Sequence, residues 1–202
     1  TATSSDGTAT TVKVTINGTN DAAVLSAANV VLTETDEALS TGGNLGISDV
    51  DSPESFVAQS DVTGKNGTFS IDRAGAWTYV ANSAFDELNV GKSVSDSFKV
   101  ASADGTTTTV RVTITGSNDA AVLSAADVAL DETNAPLKAT GTLTISDVDS
   151  ARVFVAKNRI EGVNGTLSIG PSGAWTYKAK SAFDHLNVGL NVSDIFTVNS
   201  AD

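Results

Sequence analysis

The 202-residue sequence predicts an all-β protein made of tandem Greek-key β-sandwich modules, and three observations carry that prediction. Hydrophobic residues make up 40% and charged residues only 18%, with Thr, Val, Ala, Ser, Asn and Gly prominent, a mixture that favours strands and turns over helices. Short runs of alternating apolar and polar residues are broken by turn signals about every ten residues, as in sandwich folds. Residues 20–104 also align without a gap to residues 118–202, with about 50 of 85 positions identical, so the 98-residue offset is a true period.

That period sets the expected organisation. Asp6-Gly7-Thr8 through Asn20-Asp21 matches Asp104-Gly105-Thr106 through Asn118-Asp119 at the same offset, so residues 1–19 read as the terminal strand of a preceding repeat. Residues 20–117 are then a first β-sandwich module, and residues 118–202 a second that lacks its last strand. Modules of about 100 residues bury adequate cores without disulfides, and the chain has no cysteine.

The elements follow in chain order. Val12, Val14 and Ile16 alternate with Lys13 and Thr15, the mark of a half-buried strand. Residues 68–71 and 77–80 flank Asp72-Arg73-Ala74-Gly75 and predict a hairpin, with Trp77 and Tyr79 on one face, where a core role is expected. Residues 83–88 are the only stretch that reads as a helical turn. Phe98 and Val100 lead across Asp104-Gly105, a common turn dipeptide, into Val110, Val112 and Ile114, predicting a closing hairpin. In the second copy, residues 166–169 and 175–178 repeat the first hairpin.

The net charge of −12 opposes binding to phosphate backbones and anionic membrane surfaces, and no apolar run approaches the ~18 to 20 residues of a membrane span, so no nucleic acid and no membrane insertion are expected. The acidic residues recur at matching turns of both copies: Glu34 and Glu132, Asp49-Val50-Asp51 and Asp147-Val148-Asp149, Asp86 and Asp184, Asp104 and Asp202, and the junctions Asn20-Asp21 and Asn118-Asp119. Each alone suits a turn or cap. As a set they suit calcium, a hard cation that takes six to eight oxygen ligands.

Both copies also carry Ile-Ser-Asp-Val-Asp-Ser, Asn-Gly-Thr, Gly-Ala-Trp-Thr-Tyr, Ala-Phe-Asp and Ser-Ala-Asp, and each opens on Asn-Asp-Ala. In these elements the chain resembles the cadherin-like superfamily, and more closely the VCBS-type repeats of large bacterial surface adhesins of the RTX type. Asp-Val-Asp resembles the cadherin Asp-x-Asp motif, Ala-Phe-Asp the Asp-Arg-Glu region, Ser-Ala-Asp the late aspartate, and Asn-Asp-Ala the linker. The resemblance implies Ca2+ between successive modules. One junction would take Glu34 and Asp86 from the first module, Asn118 and Asp119 from the linker, and Asp147, Asp149 and Asp202 from the second, with Glu87 as a further candidate. The amino-terminal junction would use Asn20, Asp21, Asp49, Asp51 and Asp104, an incomplete set. The resemblance further implies type I secretion to the bacterial cell surface and a part in adhesion and biofilms.

Other signals fall away. An EF-hand loop opening at Asp49 would need Gly and Glu where Glu54 and Ser60 stand, and the glycine-rich run from Gly42 to Asp49, similar to a calcium β-roll, dissolves in the second copy. His185 is the only histidine and Glu87 stands at its equivalent position, so no catalytic centre repeats and no enzyme is expected. Asn-Gly-Thr at residues 17, 66 and 164 and Asn-Val-Ser at 191 read as turns. The expected role is an extender that holds a distal domain away from the surface, with neighbouring repeats as partners. The rivals are a glycan-binding or homophilic adhesion module and a subunit that self-associates head to tail through residues 8–17, the strand edge of one chain recruiting the strand of another.

Overall fold

A computed structural model describes residues 1–202 as strands and turns, with no helix. In chain order the strands are β1 (Ala2–Thr3), β2 (Ala9–Thr10), β3 (Val24–Leu25), β4 (Ala28–Thr33), β5 (Ser40–Asn44), β6 (Ile47–Ser48), β7 (Gln59–Thr63), β8 (Gly67–Ile71) and β9 (Ala76–Ala81). They continue as β10 (Ser93–Ala101), β11 (Thr107–Thr115), β12 (Val122–Leu123), β13 (Lys138–Thr142), β14 (Ile145–Ser146), β15 (Lys157–Glu161), β16 (Gly165–Ile169) and β17 (Ala174–Ala179). The chain divides into two compact units. The first comprises Thr1–Val30, Ser40–Asn82 and Ser95–Val112; the second comprises Val31–Leu39, Ser83–Val94 and Thr113–Asp202.

The first unit is built on a four-stranded sheet in the order β5-β9-β8-β7. Its central hairpin, β8 to β9, pairs Phe69 with Tyr79 and Ile71 with Trp77. The turn closes on Gly75, whose φ of 88° lies in the left-handed region that glycine tolerates. Inward positions alternate: Phe69, Ile71, Trp77, Tyr79 and Ala81 are buried while Ala76, Thr78 and Val80 are exposed. The same parity along β10 and β11 buries Phe98, Val100, Val110 and Val112. Phe98 stacks on Phe69 with ring centroids 4.7 Å apart, so two layers share one core. Burying one such aromatic side chain contributes about 2 kcal/mol or more.

β11 is the middle strand of a three-stranded sheet in the order β10-β11-β4. It runs parallel to β4: Thr108 Oγ1 donates to the carbonyl of Ser26, and Thr115 Oγ1 to the carbonyl of Leu32, so both strands advance together. The second unit repeats the four-stranded sheet as β13-β17-β16-β15, with Leu167 opposite Tyr177 and Ile169 opposite Trp175.

Two sequence expectations need correction. Residues 83–88 form no helix but a turn in which Leu88 N donates to the Phe85 carbonyl at 2.9 Å. Phe85 sits at φ 68°, a left-handed conformation that cannot propagate a right-handed helix. Residues 12–16 form no strand either. Val12, Val14 and Ile16 are 81%, 78% and 91% exposed, because no strand lies beside them as β10 and β4 lie beside β11.

Candidate metal centre

A segment of the second unit, residues 116–121, gathers the expected acidic positions around itself. Gly116 bridges Val90 in parallel, and Gly116 N donates to the Lys92 carbonyl at 2.9 Å. Glu34 follows β4 directly; its amide donates to the Thr115 carbonyl at 2.9 Å, and its Oε1 accepts from Ser117 N at 2.8 Å. Asn118 Oδ1 accepts from Ser150 Oγ at 3.3 Å, and Ala121 N donates to Asp202 Oδ2 at 3.2 Å. Asp147 Oδ1 caps its own loop by accepting from the amides of Asp149 at 3.1 Å and Ser150 at 2.7 Å.

Burial and charge combine here at a cost. Glu34, Asp147 and Asp149 are only 3%, 6% and 8% exposed. Glu34 Oε2, Asp86 Oδ1, Asp119 Oδ2, Asp147 Oδ2 and both carboxylate oxygens of Asp149 are buried without a hydrogen-bond partner. Such orphaned oxygens are rare in folded proteins and destabilise them unless a donor or cation satisfies them. The electrostatics agree. Asp119 is pushed above the usual carboxylate range, first by desolvation and then by the negative charges of Glu34, Asp36, Asp149 and Asp86. Asp202 is held low instead, by the Ser200 hydroxyl and the Ala121 amide. Arg152 donates to the Asp147 backbone carbonyl at 3.1 Å and forms no ion pair. Phe85 and Phe183, at φ 68° and 64°, directly precede Asp86 and Asp184, so a strained backbone aims this aspartate in both repeats.

The first unit carries the related arrangement. Asn20 Oδ1 accepts from Ser52 Oγ at 3.0 Å, Asp21 N donates to Asp51 Oδ2 at 3.1 Å, and Ala23 N donates to Asp104 Oδ2 at 3.0 Å. Asp49 Oδ1 accepts from the amides of Asp51 and Ser52. Asp49 Oδ2 is the one orphaned carboxylate oxygen there, and Asp51 is exposed. Asp104 is held well below the usual range by Ser102, Ala23 and Thr106.

Glu87, Glu132, Asp184 and His185 are exposed. As the side chains stand, no group of three or more His, Asp or Glu is arranged to hold a metal ion. Oxygen donors, buried and unpaired, are nevertheless of the kind that a hard cation takes. Sequence reading missed Asp36, because its counterpart is Asn134 and it falls in none of the motifs the two copies share. It also missed Asp96, a buried hub that accepts from Lys65 N, Asn66 N, Asn66 Nδ2 and Tyr79 OH at 2.9–3.2 Å. Its inward parity with Phe98 and Val100, and the matching Asp194, were the available signal.

Residues 20–116 match the family model described as the bacterial cadherin-like domain. That segment is cadherin-like. No curated protein matches the chain. The all-β architecture is that of a cadherin-like β-sandwich, a fold used in adhesion-related and structural extracellular modules. Glu34 and Asp86 lie inside the cadherin-like segment; Asn118, Asp119, Asp147, Asp149 and Asp202 follow it and enter through the internal repeat. No helix is long and apolar enough to cross a membrane.

Proposed function

We propose that the chain is an extender in a bacterial cell-surface adhesin of the secreted VCBS type, and that calcium bound near residues 116–121 stiffens it. The six orphaned, buried carboxylate oxygens carry this reading. Glu34, Asp86, Asp119, Asp147 and Asp149 would hold the ion, with Asn118 and Asp202 bracing the segment between them. Bound calcium supplies positive charge that turns mutual repulsion into bridging. With a Kd of about 10⁻⁴ M, millimolar calcium would stabilise the bound state by about 1.4 kcal/mol per site. Asn20, Asp21, Asp49, Asp51 and Asp104 would make a weaker site, having one orphaned oxygen.

The test is small-angle X-ray scattering with parallel thermal melts, in calcium and after chelation. Calcium should stiffen the chain and raise Tm, and Asp149→Asn should abolish both responses. Equal curves with and without calcium would sink the metal reading and leave the fold untouched.

A second reading rests on a separate observation. Residues 8–17 repeat the sequence of β11, yet Val12, Val14 and Ile16 are exposed, while residues 191–199 repeat β10 and form no strand. Residues 8–17 of one chain would then pair beside residues 191–199 of another. Analytical ultracentrifugation should show concentration-dependent association that Val14→Asp removes; a monomer at every concentration would refute it.

A further inference from the structure

The outer face of β13-β17-β16-β15 differs in charge from its counterpart in the first unit. Register sets one rung across it: Lys138 opposite Lys178, Lys178 opposite Thr166, Thr166 opposite Glu161. Arg159 and Lys180 border the same shallow concavity, which Thr166, Ser168 and Thr176 line with hydroxyls. Glu161 pairs with Arg159 and lies 3.8 Å from Lys180, and these are the only ion pairs in the chain. Lys138 and Lys178 therefore face each other with no acidic partner.

Like charges directly opposite on neighbouring strands repel and destabilise a sheet. The fold does not require them here. At the equivalent rung of the first repeat Ser40 stands opposite Val80, and Asp61 and Asn82 occupy the places of Arg159 and Lys180. With Glu161 in the place of Thr63, four bases and one acid thus replace one acid and four neutral residues, a net change from −1 to +3 on a chain whose net charge is −12. A cationic face kept against that field and against its own repulsion is complementary to an anionic ligand. The surface also restricts the ligand class. None of the exposed large apolar side chains belongs to these four strands, so the face lacks the apolar anchors of a protein interface. It also lacks an exposed aromatic ring to stack a base, and duplex nucleic acid, with one charge per about 1.7 Å, would meet the acidic remainder of the chain at full density. A hydroxylated polymer with sparser anionic groups fits a strip of about 14 Å across four strands, where the adjacent Lys138 and Lys178 are followed by Thr166 before Glu161 closes the rung.

We propose that this face binds an acidic polysaccharide, whose carboxylate or sulfate groups lie against Lys138 and Lys178 and whose hydroxyls meet Thr166, Ser168 and Thr176. This adds a binding activity to the spacer and does not depend on calcium. The test is biolayer interferometry of the 202-residue chain in chelator over hyaluronan, dextran sulfate, neutral dextran and duplex DNA. Hyaluronan or dextran sulfate should capture it and neutral dextran should not; hyaluronan capture assigns carboxylate recognition, and capture by dextran sulfate alone assigns sulfate. The double variant K138S/K178V restores the residues of the first repeat, so it should keep or raise Tm while weakening binding about tenfold or more. The converse variant S40K/V80K should strengthen capture by adding cations to the first repeat. Refusal of both acidic polysaccharides, unchanged binding by K138S/K178V, or capture by DNA alone would each overturn the assignment.

Discussion

Two aspartates show how one side-chain type serves opposite ends. Asp96 is buried and fully used, accepting from two amides, a side-chain amide and a phenol. Asp96→Ala leaves those donors without a partner and should cost about 3 kcal/mol, read by urea denaturation, whereas Tyr79→Phe should cost about 1 kcal/mol. Asp119 is crowded by Glu34, Asp36, Asp149 and Asp86 and is held above its ordinary range. A carboxyl raised in the folded state contributes stability below its unfolded value, and that contribution is lost as pH rises through the folded value. Asp119→Asn should accordingly raise Tm at neutral pH in chelator, while reducing any further rise on adding calcium. A lower Tm in chelator would show that Asp119 is satisfied by contacts other than a cation.

At the scale of elements, the hairpin β8 to β9 concentrates the packing. A Cβ on Gly67 would lie 2.3 Å from the Tyr79 ring, so Gly67→Ala forces that ring to move and should cost about 1–3 kcal/mol by thermal melt. The hairpins were legible in the sequence because their alternation coincides with burial on one face, and Trp77 and Tyr79 lie in the core as their spacing implied. The strand expected at residues 12–16 was not formed: alternation records what a strand can bury, and burial needs a neighbour. The helical turn at 83–88 failed on a single torsion, at Phe85, which composition does not reveal. The acidic positions of the candidate centre were readable as a repeated set, but their burial and lost hydrogen bonds depend on the path of residues 116–121, and Asp36 has no acidic twin.

Over the whole molecule, net charge and pairing set the response to pH. Asp104 and Asp202 are held below the ordinary 3.8 by hydrogen bonds. Asp194 is lowered too: burial opposes its ionisation, but the amides of Asn164 and Val163 and the Tyr177 hydroxyl outweigh it. A depressed folded value contributes stability above the unfolded one and loses it as pH falls through the folded one. Melts in chelator should thus fall steeply below about pH 4, with Asp194→Asn flattening the decline. The parallel run of β4 and β11 bears on load as well. A pull that separates residue 20 from residue 117 draws these two strands along their length in opposite senses, so their backbone hydrogen bonds resist together in shear, without peeling one at a time. In that geometry drag along residues 20–117 is a force the first repeat would withstand as a unit.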